Sequence, residues 1–427
     1  MNGAVVAAWD LEQKFVTLIS PTYFRMPVAK GVRELTSATL PTRPRRALAA
    51  ALVTALVALL TACTGNQSRP QAATPSGNRL GLRGVCPDPV VVQAPWVPQA
   101  EHGALYQLLG PGFTIDAAHK RVTGPLVAHG GKPTGVRIEL RAGGPAVGFQ
   151  SAAQTMYLDP SITLGEVATD DAVAASLRQP VVAVVAPFEV APYMLMWDPK
   201  VHPDWHTIAD IGQTNTKVLY FKSATYMDYL LGSGILRRSQ VDGSFDGSPA
   251  AYVASGGTIV QQGFSTNEPY IFTHLLPDWH RPVAFQLIND TGYPIYPEAV
   301  VVRADKKRQL APCLKRLVPI IQQAQVDYLA RPGPVNRLVV DLNNRYKVGF
   351  PYTLGQADFS AAQQRKLGIV DNGPDQTLGN FDMGRIQRVL DIVVPIMTGR
   401  KQPIKAGLRP EDLATNEFID PAIGLAH

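Results

Sequence analysis

Polar and aromatic side chains that could bind a small molecule lie just after several predicted strands of this 427-residue chain. The candidate ligand-binding residues are Trp96, Glu101, His102, Tyr106, Asp170, Asp171, Ser223, Thr225, Tyr226, Asn267, Glu268 and Tyr270. Asp170 and Asp171 either accept hydrogen bonds from a ligand amine or simply cap the helix that they open. Ser223 and Thr225 open another helix, whose backbone N–H groups could bind an anion or a ring acceptor. The alternative is that the two residues only cap this helix.

Signatures of catalysis and of nucleotide binding are missing from the sequence. Gly130-Gly131-Lys132 is followed by Pro133 rather than by Ser or Thr, so it is not a P-loop. Gly232-Ser233-Gly234 lacks the third glycine of a dinucleotide fingerprint, and no G-x-S-x-G motif occurs. His202 and His206 lie four apart in a loop-like HPDWH segment, and no carboxylate completes a plausible zinc shell with them. We therefore predict no enzyme activity, no cofactor and no metal site.

The composition is that of a globular protein without a nucleic-acid surface. Hydrophobic residues make up 46% and charged residues 17% of the chain. The formal net charge is +6, but residues 1–62 hold seven Lys or Arg and three Asp or Glu. The remainder is close to neutral, so the charge does not indicate nucleic-acid binding.

The amino-terminal part of the chain has the pattern of an export signal. The basic run RPRR (residues 43–46) precedes an apolar run of 16 residues, Ala47 to Ala62, and then Cys63. The sequence LTAC at its end resembles the bacterial lipobox, so we predict that residues 1–62 are removed and Cys63 is lipidated. The alternative is a short transmembrane helix. Residues 1–42 are unusually long for such a leader and suggest a start codon assigned too early.

A flexible tether and an α/β body follow this leader. Residues 63–87 are rich in Gln, Ser, Pro, Ala and Gly, a composition typical of a tether. Strands are predicted at residues 89–94, 136–142, 162–167, 180–185, 217–221, 258–262, 283–288 and 297–303. Helices are predicted at residues 146–157, 169–177, 223–231, 310–328 and 381–397.

This order of elements predicts an α/β clamshell of two lobes with mostly parallel sheets flanked by helices. The chain would leave the first lobe and later return to it, which gives two crossovers. We place the first lobe at residues 88–196, the second at residues 197–292, and the return to the first lobe with carboxyl-terminal helices at residues 293–427. A ligand would bind between the lobes, which close by hinge motion.

One segment of the body resembles a known family. Trp96–Tyr106 (WVPQAEHGALY) is similar to the W-x-P-N-x-E-H-A-G-x-Y segment of solute-binding proteins of bacterial ABC importers. The branch with this segment binds sulfonates, nitrate and thiamine-precursor pyrimidines. Weaker similarity is found in GFSTNEPY (residues 263–270), in residues 290–297 and in DLATNEF (residues 412–418). The resemblance covers residues 88–420 and implies the type II periplasmic-binding-protein fold.

The resemblance also implies roles for individual residues. Trp96 and Tyr106 would stack on a ligand ring or would pack in the core, and Tyr226 could act as a lid aromatic. His102 would hydrogen-bond a polar ring or pair with Glu101 at the surface. Glu268, beside Asn267 and Tyr270, would accept a hydrogen bond from a ligand amine or amidine, or form a salt bridge near the hinge.

Cysteine usage fits an exported protein. After lipidation of Cys63, Cys86 and Cys313 remain, and both are expected in the first lobe. In an oxidising compartment such a pair is expected to form a disulfide, the alternative being a buried free Cys313.

These observations predict a monomeric lipoprotein on the outer face of the membrane, with the lipid as its membrane anchor. It would capture a small solute and deliver it to an ABC permease and its ATPase. Aromatic and acidic candidates without Lys or Arg favour a nitrogen-rich aromatic ligand such as a pyrimidine. Alternatives are a sulfonate or nitrate ligand, a receptor that feeds a sensor, and, less favoured, a pyrimidine-synthase-like enzyme.

Overall fold

The computed structural model describes residues 80–426. The predicted leader, most of the tether and Cys63 lie outside the described residues. Strands within this range are β1 Val90–Gln93, β2 Thr114–Asp116, β3 Arg121–Ala128, β4 Lys132–Arg141, β5 Leu164–Val167, β6 Val181–Val185, β7 Tyr193–Trp197, β8 Val218–Leu219, β9 Val241–Asp242, β10 Val260–Phe264, β11 Ala284–Leu287 and β12 Ala299–Arg303.

Helices alternate with these strands and then form a carboxyl-terminal group. They are α1 Gly103–Gln107, α2 Ala152–Leu158, α3 Thr169–Ala175, α4 Ile208–Gly212, α5 Thr225–Gly232, α6 Ala250–Ala254, α7 Glu268–Tyr270, α8 Lys307–Ala330, α9 Gly333–Tyr346, α10 Leu354–Lys366, α11 Met383–Gly399 and α12 Pro410–Leu413. Between residues 80 and 426, none of the helices combines the length and apolar character that crossing a membrane requires.

The strands form two sheets, and each sheet is the centre of a lobe. The first lobe has seven strands in the order β2-β3-β4-β1-β5-β12-β6, and the second has five in the order β11-β7-β10-β8-β9. β1, β5 and β6 are buried along their whole length, which fits the apolar runs VVV in β1 and VVAVV in β6. The long helix α8 and the helices α9 and α10 pack on the first lobe, whereas α11 packs on both α3 of the first lobe and α5 of the second.

The sheets are mixed, which corrects the expectation of mostly parallel sheets. β1 pairs in parallel with β4 and β5, and β8 in parallel with β9 and β10. β3 and β4 form an antiparallel hairpin, and β12 is antiparallel to β5 and β6. β7 and β11 are antiparallel to their neighbours as well. β12 and β7, the strands that follow the two crossings, each run antiparallel to both of their neighbours.

Two connections join the lobes, residues 186–192 and residues 288–298. The first leads from β6 to β7 and the second from β11 to β12. β7 lies in the second sheet, so the boundary predicted at residue 197 falls at the last residue of that strand. Tyr193 pairs with Phe264 at the carboxyl end of β10, and Ala299 pairs with Val167 at the carboxyl end of β5. Both connections therefore run along the edges where ligands are expected to bind.

Arg385 in α11 binds both connections at once. Its guanidinium donates to the carbonyl of Pro294 at 2.7 Å, to that of Ile295 at 2.8 Å, and to both the carbonyl and the carboxylate of Glu189 at 2.6 and 2.7 Å. The guanidinium carbon lies 3.7 Å from the centre of the Tyr296 ring. Arg385 is 7% exposed, so these contacts are shielded from water.

One local expectation differs from the structure. The helix expected over residues 146–157 is interrupted, because Gly148 and Phe149 have φ of +63° and +60°. A short 3₁₀ turn at Gly144–Val147 and the separate helix α2 take its place.

Cys86 and Cys313 are joined by a disulfide between the segment before β1 and helix α8.

Candidate functional site

The two lobes touch through side chains that follow the carboxyl ends of their strands, and we call this contact region the interlobe seam. Glu101 belongs to a 3₁₀ turn after β1, and Thr266 follows β10. The Thr266 hydroxyl donates to Glu101 Oε1 at 2.6 Å, with both residues buried. Beside this contact, Gln356 of α10 donates to Asn267 Oδ1 at 2.6 Å. Polar groups of both lobes thus meet where the sequence predicts a ligand.

Glu101, Glu166 and Glu298 place buried carboxylates in the first lobe beside the seam. Glu101 and Glu166 are 4% and 2% exposed, and the side chain of Glu298 is 13% exposed. One carboxylate oxygen of each has no hydrogen-bond partner. Burial raises the pKa of Glu101 and of Glu166, and burial together with the charge of Glu101 raises that of Glu298 to about 8. Among the described residues none of the three pairs with Lys or Arg.

His102 lies next to these carboxylates. It is 1% exposed, and its Nε2 atom is 3.7 Å from Glu298 Oε2. Neither ring nitrogen makes a hydrogen bond. Burial lowers the pKa of His102 to about 4, so the ring is neutral at physiological pH. The imidazole therefore does not neutralise Glu298.

Glu268 approaches the seam from the second lobe. Its Oε2 atom accepts a hydrogen bond of 2.6 Å from the backbone N–H of Phe264. Burial, opposed by that N–H and increased by the charge of Glu101, raises the pKa of Glu268 to about 7. Within the described chain, Glu268 forms no ion pair with Lys or Arg.

Asp170 and Tyr293 form a second buried polar pair. The Tyr293 hydroxyl donates to Asp170 Oδ2 at 2.7 Å, while Asp170 Oδ1 accepts from the Asp171 N–H at 3.0 Å. Ala168, not Thr169, is the N-cap of α3, so the expected cap is absent, and the Thr169 hydroxyl accepts from the N–H of Tyr296. Burial raises the pKa of Asp170 despite the Tyr293 hydroxyl.

Aromatic rings from both lobes line the seam. Trp96 is half-buried, with its ring 5.9 Å from Phe149 and 5.3 Å from Phe350. Tyr193 at the start of β7 packs edge-on against Phe264 at 5.0 Å and lies 6.0 Å from Tyr226. The negative charges of Asp170 and Glu298 raise the pKa of Tyr193 further than burial alone does.

The remaining predicted residues occupy other positions. Tyr106 is 3% exposed in the core of the first lobe, and Asp171 is exposed. Ser223 is exposed and makes no capping bond, because Ala224 is the N-cap of α5. Thr225 is buried and accepts a 3.5 Å bond from Arg400.

Tyr226 and Tyr270 are each held by neighbours in the fold. The Tyr226 hydroxyl donates to Gln262 at 2.7 Å, and the Tyr270 ring lies 5.6 Å from Phe359 of α10. Tyr226 is therefore anchored within the second lobe, whereas Tyr270 packs across the seam.

Two cavities of about 120 and 390 Å³ open elsewhere on the described surface. The smaller is lined by Pro180 and Lys405, and the larger by Glu189 and Asn380. Neither includes the carboxylates of the seam, where the lobes are in direct contact. A ligand at the seam would replace contacts that the two lobes now make with each other.

Sequence reasoning missed Glu166, Glu298 and Tyr193. Glu166 is the single charged residue of the buried strand LGEV, a signal that could have been noticed. Glu298 has φ of +51°, a conformation uncommon for residues other than glycine, and no sequence signal marks it. Tyr193 begins the strand YMLMW, which has few β-branched residues and was not predicted as a strand.

Raised carboxyl pKa values make stability fall with rising pH. Glu268, with pKa raised to about 7, and Glu298, with pKa raised to about 8, hold protons that the unfolded chain releases near pH 4.5. Their stabilisation is complete below pH 4.5 and is lost as pH rises through the folded-state values.

We expect the free energy of unfolding to fall by roughly 2 kcal/mol between pH 6.5 and 8.5, measured by urea denaturation. Glu298→Gln should reduce this fall, whereas Glu411→Gln, an exposed carboxyl, should leave it unchanged. His102, with pKa about 4, does not titrate in this window. Stability that stays constant or rises over this range would contradict the assignment.

Comparisons with known proteins give matches to solved structures alone. No protein-family model matches the chain, and no curated protein matches it.

Three of the similar solved structures are compared here by sequence identity, TM-score and the share of each chain that is covered. The alkanesulfonate-binding protein SsuA from Xanthomonas axonopodis pv. citri bound to MOPS is 12% identical, with a TM-score of 0.48 over 77% of this chain and 99% of that one. The periplasmic aliphatic sulphonate binding protein SsuA from Escherichia coli is 12% identical, with a TM-score of 0.49 over 75% and 95%.

The third, the Candida albicans CA3427 gene product with the generic periplasmic binding protein fold, is 10% identical, with a TM-score of 0.41 over 78% and 98%. The two sheets and two connections of this chain have that two-lobed architecture. At these identities and TM-scores the matches carry nothing about the ligand.

Proposed function

We propose that this chain is the extracytoplasmic solute-binding component of an ABC importer. It captures a small solute between its lobes and delivers it to a membrane permease driven by an ATPase. The observation that carries the proposal is the interlobe seam, where buried polar side chains from the carboxyl ends of both sheets meet, as Glu101 and Thr266 do. Two connections at one edge of each sheet are the arrangement that hinge closure requires.

The side chains at the seam favour a nitrogen-rich solute over an anion. Glu101 and Glu268 offer carboxyl oxygens that accept hydrogen bonds from a ligand N–H, and Trp96 and Tyr193 offer ring faces. A sulfonate or nitrate would have to be bound by N–H donors or by cations, and the buried carboxylates would repel it. A pyrimidine or another amine-bearing ring is therefore our first choice of ligand, with a sulfonate or nitrate as the alternative.

Export and anchoring belong to the same proposal. The disulfide between Cys86 and Cys313 is the kind of bond that persists in oxidising compartments. Lipidation of Cys63 would hold the protein, as a monomer, at the outer face of the membrane through the tether of residues 63–87. A receptor that passes the solute signal to a sensor is the second candidate, and neighbouring kinase rather than permease genes would favour it.

Thermal unfolding in the presence of candidate solutes tests the binding function. A ligand at one hundred times its Kd should stabilise the protein by about 2.7 kcal/mol, which raises Tm by a few degrees. We would compare pyrimidines and small aromatic amines with methanesulfonate and nitrate. Glu268→Gln should abolish the shift given by an amine-bearing ring, and the exposed Glu411→Gln should keep it. A panel without any shift would argue against solute binding, and equal shifts in both variants would remove Glu268 from the site.

A further inference from the structure

Three carboxyl groups buried beside the seam have no cationic partner among the described residues. Glu101, Glu166 and Glu298 each have a carboxylate oxygen without a hydrogen-bond partner, and none of them pairs with Lys or Arg in the part of the chain that the structure describes. Glu166 pairs with Val300 of β12, which places it near Glu298 just before that strand, and Glu298 lies 3.7 Å from the ring of His102, the residue after Glu101. Uncompensated buried charges are costly and are normally paired.

His102 provides a second observation at the same place. The ring is 1% exposed, both nitrogens lack hydrogen-bond partners, and Nε2 points toward Glu298 at 3.7 Å. A buried imidazole in a native protein normally has at least one hydrogen-bond partner. A ligand that carries both donors and a positive charge would supply partners to the carboxylates, and a further ligand atom could reach the imidazole.

Ring faces beside the carboxylates fit the same kind of ligand. Tyr193 packs on Phe264 and lies near Tyr226. The charges of Asp170 and Glu298 contribute to its raised pKa. A cation held between a carboxylate and a ring face gains from both, and aromatic surfaces tolerate cations well where they would disfavour anions.

We propose that the solute is a small organic cation, whose ammonium or amidinium group is bound by Glu101, Glu166 and Glu298 with His102 as a neutral neighbour. This inference rests on the proposed function and names the ligand class of the same site. It adds a positive charge to the requirement for a nitrogen-rich molecule. It also makes the first lobe the charge-recognising half of the site.

Matched pairs of probes separate charge from shape in a thermal-shift experiment on the purified chain. Benzamidine is compared with benzamide, and putrescine with 1,4-butanediol, at equal ionic strength. We expect benzamidine or putrescine to raise Tm by several degrees and the neutral partners to have no effect. Glu298→Gln should weaken the response to the cation at least tenfold in midpoint concentration, and Glu411→Gln should not.

Other outcomes distinguish the two proposals. If a neutral pyrimidine, methanesulfonate or nitrate raises Tm and no cation does, the inference is overturned while the solute-binding function stands. If no compound of either set raises Tm, both are overturned.

The unliganded protein supplies a second and ligand-independent test. At pH 9, Glu298→Gln should raise Tm because it removes an unpaired buried carboxylate that the protein keeps for a ligand. A lower Tm in this variant would mean that Glu298 is a structural acceptor and would overturn the inference. Glu411→Gln, measured at the same pH, controls for a simple change in net charge.

Discussion

Replacing Arg385 with methionine is expected to lower the free energy of unfolding by about 3–5 kcal/mol. The guanidinium donates to Glu189 in the first connection and to Pro294 and Ile295 in the second, and it is almost completely buried. Methionine fills a similar volume but leaves the Glu189 carboxylate and three carbonyl groups without their donor. Urea denaturation followed by circular dichroism measures the loss.

Arg388 in the same helix is the matched control. It pairs with Asp382 at 3.4 Å, and both side chains are about half exposed. Exposed pairs of this kind contribute about 0–1 kcal/mol, so Arg388→Met should change stability little. Equal losses in the two variants would show that Arg385 acts only through general helix packing, and the role assigned to it at the connections would be wrong.

Opening the disulfide between Cys86 and Cys313 is expected to lower the free energy of unfolding by about 2–5 kcal/mol. The bond joins residues 227 positions apart, so it restricts a very long loop in the unfolded chain. It also ties the segment before β1 to α8, which carries much of the core of the first lobe. Denaturation with and without a reductant measures the effect.

A double variant, Cys86→Ala with Cys313→Ala, controls for the reductant itself. It should have the reduced stability from the start and should not respond to reductant. Because Cys313 is fully buried, the variant also loses packing by its sulfur atom, which the reductant experiment on the natural chain does not. Unchanged stability of the natural chain in reductant would contradict the prediction.

Much of the fold follows from the sequence because buried strands carry continuous apolar runs. PVVVQA and PVVAVV became β1 and β6, and the 3.6-residue periodicity from Leu310 became α8. Elements with weaker patterns were missed. β3 contains Gly124 and Pro125, which ordinarily break strands, and it accommodates them with an irregular register. Polar residues on every face of α10 hide its periodicity.

The candidate site was partly predictable for a geometric reason. Carboxyl ends of parallel strands meet at one edge, so Glu101 after β1 and Glu268 after β10 could be placed at the site from local sequence. Glu166 and Glu298 could not, because they reach the seam through the pairing of β5 with β12, segments more than one hundred and thirty residues apart. Long-range strand order decides their meeting, and no local pattern encodes it.

Helix α11 connects two regions with opposite exposure to solvent. Arg385 near its first turn binds the connections in a buried environment, and Arg400, just after its last residue, binds Asp228 and the Ala224 carbonyl of α5 in the second lobe. A rotation of the second lobe away from α11 would break the Arg400 contacts with α5, whereas those of Arg385 with the connections would persist. The helix would then stay bound to the two connections through Arg385 and release the second lobe at Arg400. Because screening by salt acts mainly on exposed pairs, high ionic strength is expected to weaken the Arg400 contacts and to leave those of Arg385 intact.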